Sequence, residues 1–261
     1  MKPPKLVMPM LASVGAVLIT LLNSSVARAY SVTFNGRTAG DPPGQLRDIH
    51  LHSGDIGRTL DPTTWSLSAG TKNKDGDTLT ENIVGQAVIT VLNLTAEFLE
   101  LSFEVANLTN PTSQGYKAAI VGLWFGVTPD ATKAELNGGT TFKSSRVDPN
   151  GNAPGGFKDI DICIYAANNC QGGNINRGLQ IGQVDNFKIK IFGDFGVYDS
   201  DNTYLHSAVT ISDFGTKWQT TDGSYAVAGV PEPMTILGSG AALGFGAFMK
   251  RRSSKKRAGK S

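Results

Sequence analysis

The stretch EFLELSFEVA, residues 97–106, alternates between two classes of side chain at every second position. Successive side chains of a β-strand point to opposite faces, so a period of two predicts a strand with one buried face. The face expected to be buried carries Leu99, Leu101, Phe103 and Val105, and the other carries Phe98, Glu100, Ser102 and Glu104. Residues 187–191 repeat the pattern, with lysines at the exposed positions.

Further strands are predicted where β-branched and aromatic residues gather between turn-forming residues. They cover residues 31–35, 86–93, 118–127, 156–165, 206–212 and 223–227. Gly122 and Gly126 indicate a bulge or bend inside an apolar strand. One short helix is expected from Pro129 to Leu136, and residues 148–156 form the longest expected loop. Many strands with turns between them predict an all-β fold, an antiparallel β-sandwich.

The N-terminus has the three parts of a secretory signal peptide. A positive start is followed by an apolar run over residues 6–22, and Ala27 and Ala29 provide the small residues of a cleavage site. An uncleaved membrane anchor is the alternative interpretation. The cleavage site favours removal of residues 1–29 by signal peptidase, which leaves a mature chain that begins near Tyr30.

The C-terminus combines an apolar segment with a basic tail. Residues 234–249, MTILGSGAALGFGAFM, carry no charge, and seven basic residues follow between Lys250 and Lys260. As a helix this segment is about 24 Å long, and it spans the ~30 Å hydrocarbon core if flanking residues contribute. The positive-inside rule places the basic tail in the cytoplasm and the body outside. A buried helix of a globular domain is the alternative.

The tetrapeptide Val230-Pro231-Glu232-Pro233 stands directly before the apolar segment. Its two prolines keep it extended and prevent a helix across it, which suits a protease substrate. Pro231-Glu232-Pro233, a short Gly- and Ala-rich span and a terminal Arg/Lys cluster together resemble the PEP-CTERM sorting signal, particularly its cyanobacterial members. The resemblance covers residues 230–261. It implies cleavage by an exosortase, a membrane cysteine protease, with Glu232 central to recognition, and a final location on the cell surface or in the extracellular matrix.

Charge is distributed unevenly along the chain of 261 residues, whose formal net charge is +2. Three of the 24 basic residues precede Tyr30 and seven follow Pro233, whereas all 22 acidic residues lie between. The body, residues 30–229, is therefore distinctly acidic. From Tyr30 to Pro233 the net charge is −8. A nucleic-acid partner needs a basic surface to neutralise phosphates, so we expect no nucleic-acid binding.

Cys163 and Cys170 are the two cysteines of the chain. In an exported protein the expected state is a disulfide that closes this short loop and adds limited stability. Metal binding and a reactive thiol are the alternatives. The residues around the pair, from Asp161 to Phe187, are similar to the C-terminal half of ectodomains that carry PEP-CTERM signals, and this resemblance implies no activity.

Few residues suggest a ligand site. Trp65 and Trp218 are flanked by polar residues and could form a platform that stacks on sugars, whereas Trp124 lies in an apolar run and is expected in the core. His50 and His52 share one face of an extended chain, a geometry that can hold a metal ion. Without a visible third ligand we expect two surface histidines.

Two pairs of acidic residues lie in turn-like sequences, Asp75 with Asp77 and Asp199 with Asp201. Clustered oxygen ligands suit calcium, so a calcium site is one hypothesis at either pair. Neither pair fits the twelve-residue calcium loop, and solvated turns are the expected structure. We predict no other cofactor and no catalytic residue, since the nucleophile-elbow and phosphate-loop motifs are missing from the sequence.

Three functional hypotheses result. The preferred one is an exported, non-enzymatic surface or matrix protein whose partners during export are signal peptidase and an exosortase. The second is a carbohydrate-binding module acting on extracellular polysaccharide, which exposure of Trp65 or Trp218 in a groove favours and burial of both opposes. The third is an exported hydrolase, which needs two facing carboxylates in a pocket, or His50 and His52 converging with an acid.

Overall fold

Residues 98–106 lie in a strand at the centre of a six-stranded antiparallel sheet. The computed structural model describes residues 30–35, 46–153, 157–166, 169–170, 172–228 and 230–231. In spatial order the strands of this small sheet are β15 (Val230–Pro231), β3 (Thr63–Leu67), β4 (Ile83–Leu94), β5 (Phe98–Asn107), β11 (Val184–Phe192) and β7 (Lys133–Asn137). The alternation in β5 and β11 is reproduced in their burial, because every second side chain faces the core.

A second antiparallel sheet, the large sheet, has nine strands. Its main path is β1 (Ser31–Asn35), β2 (Leu46–His52), β13 (Tyr204–Thr220), β6 (Ala118–Thr128), β9 (Phe157–Tyr165) and β8 (Ser144–Ala153). Three short strands complete it, namely β10 (Leu179–Gln180) beside β6, and β12 (Gly196–Tyr198) and β14 (Gly223–Ala228) beside β13. Single turns of 3-10 helix lie at Ser53–Asp55 and Ile175–Arg177. The prediction of an all-β fold is confirmed.

The two sheets pack face to face through an aromatic centre. The ring centroid of Phe103 in the small sheet lies 6.0 Å from that of Phe125 and 6.3 Å from that of Phe214, both in the large sheet. Phe187 stacks on Phe103 from the neighbouring strand at 5.2 Å. Buried aromatic residues dominate core energetics, and offset ring pairs add about 0.5–1.5 kcal/mol each. The core of this β-sandwich therefore lies where the alternation in β5 and β11 predicts it.

The helix predicted from Pro129 to Leu136 is wrong. Residues 133–137 instead form β7, which pairs with β11 at the edge of the small sheet. Its side chains alternate between exposed and half-buried, and Ala134 and Leu136 pack against the core. The intrinsic helix propensity of these residues is thus outweighed by pairing with β11, which buries part of those two side chains. The loop expected at residues 148–156 is also wrong in part, because β8 extends to Ala153.

The two glycines predicted to mark a bulge do lie beside irregular pairing. The register between β6 and β13 shifts after the pair Gly126–Ser212 and again after the pair Gly122–Lys217. An extra residue in one strand of a pair bends that strand and increases its twist. The shifts allow the long strand β13 to pair with β2 and with β6 in one continuous sheet.

Strand β6 is buried on both of its faces. One face joins the main core, and the other contributes Trp124 to a small cluster with Ile160, Cys163 and Ala228. Cys163 forms a disulfide with Cys170, as predicted, and Cys163 pairs directly with Trp124 across β6 and β9. A sequence separation of 7 corresponds to about 2 kcal/mol of loop-closure entropy. The disulfide therefore lies on the outer side of β6.

Candidate ligand-binding face

The two tryptophans predicted as a ligand platform are both buried, so that prediction is wrong. Trp65 in β3 and Trp218 in β13 have no exposed surface. The indole Nε1 of Trp218 donates a hydrogen bond to Oγ1 of Thr216 at 2.9 Å inside the fold. Polar neighbours in the sequence do not indicate exposure, because in a strand they occupy the face opposite the tryptophan. Trp124 is buried, as expected.

The outer face of the small sheet instead carries a shallow groove of about 320 Å³. The groove is lined by Ser102, Asn137, Gly138, Asn186, Phe187 and Lys188. Antiparallel pairing places Lys188 between Ser102 of β5 and Asn137 of β7, which forms one row of polar side chains across three strands. A hydroxyl, an ammonium and an amide in one row offer donors and acceptors suited to a polyhydroxylated or anionic ligand.

Two further rows continue the same face along β5, β11 and β7. The middle row is charged and consists of Glu100, Lys190 and Glu135, and the last row consists of Phe98, Phe192 and Lys133. Four residues along a strand separate the first row from the last, which is about 13 Å. We call the three rows together the three-row face.

The last row has aromatic side chains covered by cations. The ring centroids of Phe98 and Phe192 lie 6.3 Å apart, and Nζ of Lys190 lies 3.6 Å from the centroid of Phe98. Nζ of Lys133 lies 5.2 Å from the centroid of Phe192 and forms an ion pair with Glu135 at 2.6 Å. The hydrogen bond and charge of Lys133 lower the pKa of Glu135. Both rings are half-buried, so the row presents apolar edges framed by positive charge.

Asp185 holds the loop beside the groove. Its buried carboxylate accepts hydrogen bonds from the backbone amides of Thr140, Thr141 and Phe142 at 2.9, 3.0 and 2.8 Å. Burial acts to raise the pKa of Asp185, but hydrogen bonds from Phe142 and Thr140 outweigh it, and the pKa lies below its ordinary value. The charged carboxylate thus anchors the chain where it turns after β7 at Gly138, whose φ is +92°.

Glu81, which lies just before β4, performs the same task for another loop. Its carboxylate accepts hydrogen bonds from the backbone amides of Thr112 and Ser113 at 3.1 and 2.8 Å, and from the hydroxyl groups of both residues. The hydroxyl of Ser113 and the amide of Thr112 are the main causes that lower the pKa of Glu81 to about 2. Glu81 therefore ties the loop before β6 to the start of β4.

Two other buried carboxylates also bind the main chain. Oδ2 of Asp55 accepts from the amide of His52 at 2.8 Å, and Oδ2 of Asp161 accepts from the amide of Val127 at 2.6 Å. The sequence contains no pattern that singles out these residues, because a buried carboxylate becomes recognisable only when its amide donors are placed. Their observed contacts are structural.

The histidines lie on the outer face of the large sheet. His50 and His52 share this face of β2, as the spacing predicts, and Nδ1 of His50 lies 2.9 Å from Oγ1 of Thr210 on β13. His206, also on β13, approaches His52 with a distance of 5.8 Å between ring centroids. In the described part of the chain no group of three or more His, Cys, Asp or Glu side chains is arranged to hold a metal ion.

The acidic pairs considered for calcium lie in hydrogen-bonded turns. Oδ1 of Asn73 accepts from the amides of Asp75 and Asp77 at 3.0 and 2.8 Å, and Nδ2 of Asn73 donates to Asp77. Oδ1 of Asp199 accepts from the amides of Asp201 and Thr203 at 3.0 and 2.8 Å. These contacts are those of side-chain-stabilised turns.

The targeting segments fall almost entirely outside the described residues. These include Ala27, Ala29, Glu232, Pro233 and the apolar segment 234–249. The backbone of Val230 and Pro231 is described, and it pairs with Thr64 and Thr63 at the edge of the small sheet. No helix in the described ranges is long and apolar enough to cross a membrane.

Comparison with known proteins supplies no relative. No protein-family model matches the chain, and no curated protein is detectably similar to it.

Proposed function

We propose that the chain is an exported, non-enzymatic protein of the cell surface or extracellular matrix, sorted through a PEP-CTERM signal. The observation that carries the proposal is the C-terminal order of Val230-Pro231-Glu232-Pro233, an uncharged segment and a basic tail. The N-terminal signal-peptide pattern agrees with it, because both ends direct the acidic body across the membrane. In this proposal residues 1–29 and 230–261 are targeting segments and residues 30–229 are the exported body.

The structure supports this proposal at two points. The disulfide between Cys163 and Cys170 suits an oxidising, exported environment. Strand β15 begins directly after the last long hairpin of the large sheet and contains the first proline of the motif. A protease substrate at this position is attached to the small sheet by its first two residues.

Intact mass measured on protein from the native envelope and medium tests the proposal. We expect a chain from Tyr30 to near Pro233, allowing for glycans. Glu232→Ala should leave the C-terminal segment uncut, whereas Glu97→Ala, a matched change at an exposed glutamate, should be processed normally. Normal processing of Glu232→Ala, or a wild-type mass that still includes the basic tail, contradicts the sorting proposal.

We propose polysaccharide binding at the three-row face as the second candidate function. Its polar first row and aromatic last row together supply hydrogen-bonding groups and apolar ring edges, the two contacts that sugars use. The test is retardation in native gels that contain the organism's own extracellular polysaccharide. Lys188→Ala should abolish most of the retardation, and Lys72→Ala, which removes an exposed lysine elsewhere, should not. Equal retardation of both variants and wild type contradicts this second function.

A further inference from the structure

All three histidines of the chain lie on one outer face of the large sheet. The register of β2 and β13 pairs His52 with Ala208 and His50 with Thr210. His206 precedes Ala208 by two residues, so its side chain lies on the same face and diagonally opposite His52. Diagonal neighbours in an antiparallel pair are within reach of long and aromatic side chains. The fold therefore joins two histidines that are far apart in the sequence.

The spacing of His52 and His206 suits one shared ion. Their ring centroids are 5.8 Å apart, and the ring planes are tilted by 58°. Two imidazoles that bind one tetrahedral zinc ion through bonds of about 2.0–2.1 Å have centroids about 5 Å apart. The observed centroid distance is about 1 Å larger than this value. His52 is exposed and His206 is half-buried, so water and ions reach both rings.

The backbone that carries the pair is held firmly. The amide of His52 donates to Oδ2 of buried Asp55 at 2.8 Å, and Arg58 lies 3.6 Å from the other oxygen of that carboxylate. Leu51 precedes His52 in β2, Ser207 follows His206 in β13, and both residues are fully buried. Preorganised ligands lose little freedom when they bind, which favours a site with only two protein donors.

We propose that His52 and His206 together bind one divalent transition-metal cation. Imidazole nitrogen suits Zn²⁺, Ni²⁺ and Cu²⁺, and Cu²⁺ binds most tightly in this series, whereas Ca²⁺ and Mg²⁺ require oxygen ligands. The described part of the chain adds no third His, Cys, Asp or Glu to the pair. The remaining positions around the ion are therefore open to water or to donors from another molecule. The proposal is independent of the sorting signal and of the three-row face.

The test is calorimetric titration of the full chain, purified in detergent without a histidine tag, because a tag would bind the same ions. Zn²⁺, Cu²⁺ and Ca²⁺ are titrated separately into wild type and into His52→Gln, His206→Gln and His50→Gln. We expect Cu²⁺ to bind more tightly than Zn²⁺, and Ca²⁺ to show no binding at this site. His52→Gln and His206→Gln should each weaken Zn²⁺ binding about tenfold or more, because each removes one of two ligands.

His50→Gln is the matched control, since His50 lies one step along the same face and contacts Thr210 instead. Its Zn²⁺ affinity should equal that of wild type. The double variant His52→Gln/His206→Gln should lose Zn²⁺ binding at this site altogether, because each single variant still keeps one of the two protein ligands. Wild-type affinity in either single variant, or an equal loss in His50→Gln, overturns the proposal. Thermal unfolding of each variant shows whether a loss of Zn²⁺ affinity arises from misfolding. If one of the two single variants is misfolded, the affinity of the other decides whether the proposal holds.

Discussion

At the scale of single residues, this fold uses carboxylates to fasten loops. Glu81 and Asp185 each accept several hydrogen bonds from a neighbouring loop, and both have a pKa below the ordinary value. The two anchors lie at different places of the small sheet, with Asp185 on β11 and Glu81 just before β4. A carboxylate that accepts hydrogen bonds from amide and hydroxyl donors is stabilised in its charged form. Each loop is therefore held most firmly at pH values above the pKa of its carboxylate.

Glu81 should make stability depend on pH in the acidic range. Its folded pKa of about 2 lies below the ordinary value of 4.5, so its contribution is complete at pH values well above 4.5. The contribution decreases as pH falls toward 2, because the unfolded chain takes up the proton first. Glu81→Gln should therefore lower the unfolding temperature at pH 6, and its difference from wild type should shrink by pH 2.

The measurement is the thermal unfolding midpoint of both proteins from pH 7 to pH 2. Glu104→Gln serves as the control, since Glu104 is an exposed glutamate on β5. It should follow the wild-type curve at every pH. A difference between Glu81→Gln and wild type that stays constant across this range contradicts the assigned role of Glu81.

At the scale of elements, alternation predicted the strands but not their partners. The period of two in residues 97–106 and 187–191 identified β5 and β11 and their buried faces. β7 was missed because its five residues have helix-forming side chains, and only pairing with β11 makes them extended. Register depends on contacts between distant residues, so the row of Ser102, Lys188 and Asn137 could not be predicted from local pattern.

The close approach of the two sheets gives a prediction at Gly85 in β4. A Cβ added there would lie 2.9 Å from Cδ1 of Ile120 and 2.9 Å from Cζ2 of Trp218, both in the large sheet. Overpacking of a well-packed core costs about 1–3 kcal/mol. Gly85→Ala should therefore lower the free energy of unfolding by about that amount.

The comparison for Gly85→Ala is Gly54→Ala, measured by urea denaturation under the same conditions. A Cβ at Gly54 meets no atom within 4 Å, and its backbone is not left-handed. This control should change the free energy of unfolding by no more than about 0.5 kcal/mol. Equal stability of the two variants contradicts the tight contact between the sheets at Trp218.

At the scale of the whole molecule, charge is distributed unevenly between the body and the two ends of the chain. Ten of the 24 basic residues lie before Tyr30 or after Pro233, whereas all 22 acidic residues lie between, where the described residues form the sandwich. The sequence predicts targeting segments at both ends, because such signals are local and linear. It did not predict a correct ligand site, since both Trp65 and Trp218 are buried and the three-row face exists only after three strands pair. A site assembled from distant strands therefore cannot be recognised from a local pattern.

The division of charge makes each processing step visible by isoelectric focusing. The uncut chain has a net charge of +2 and an isoelectric point near pH 8.5. Loss of residues 1–29 removes three basic residues and leaves a net charge of −1, and further loss of the segment after Pro233 removes seven and leaves −8. Under the proposed sorting, deglycosylated protein from the native envelope should focus at clearly acidic pH. Glu232→Ala should focus close to neutrality, because only its signal peptide is removed. A wild-type protein that focuses close to neutrality would mean that the C-terminal segment is retained as an anchor.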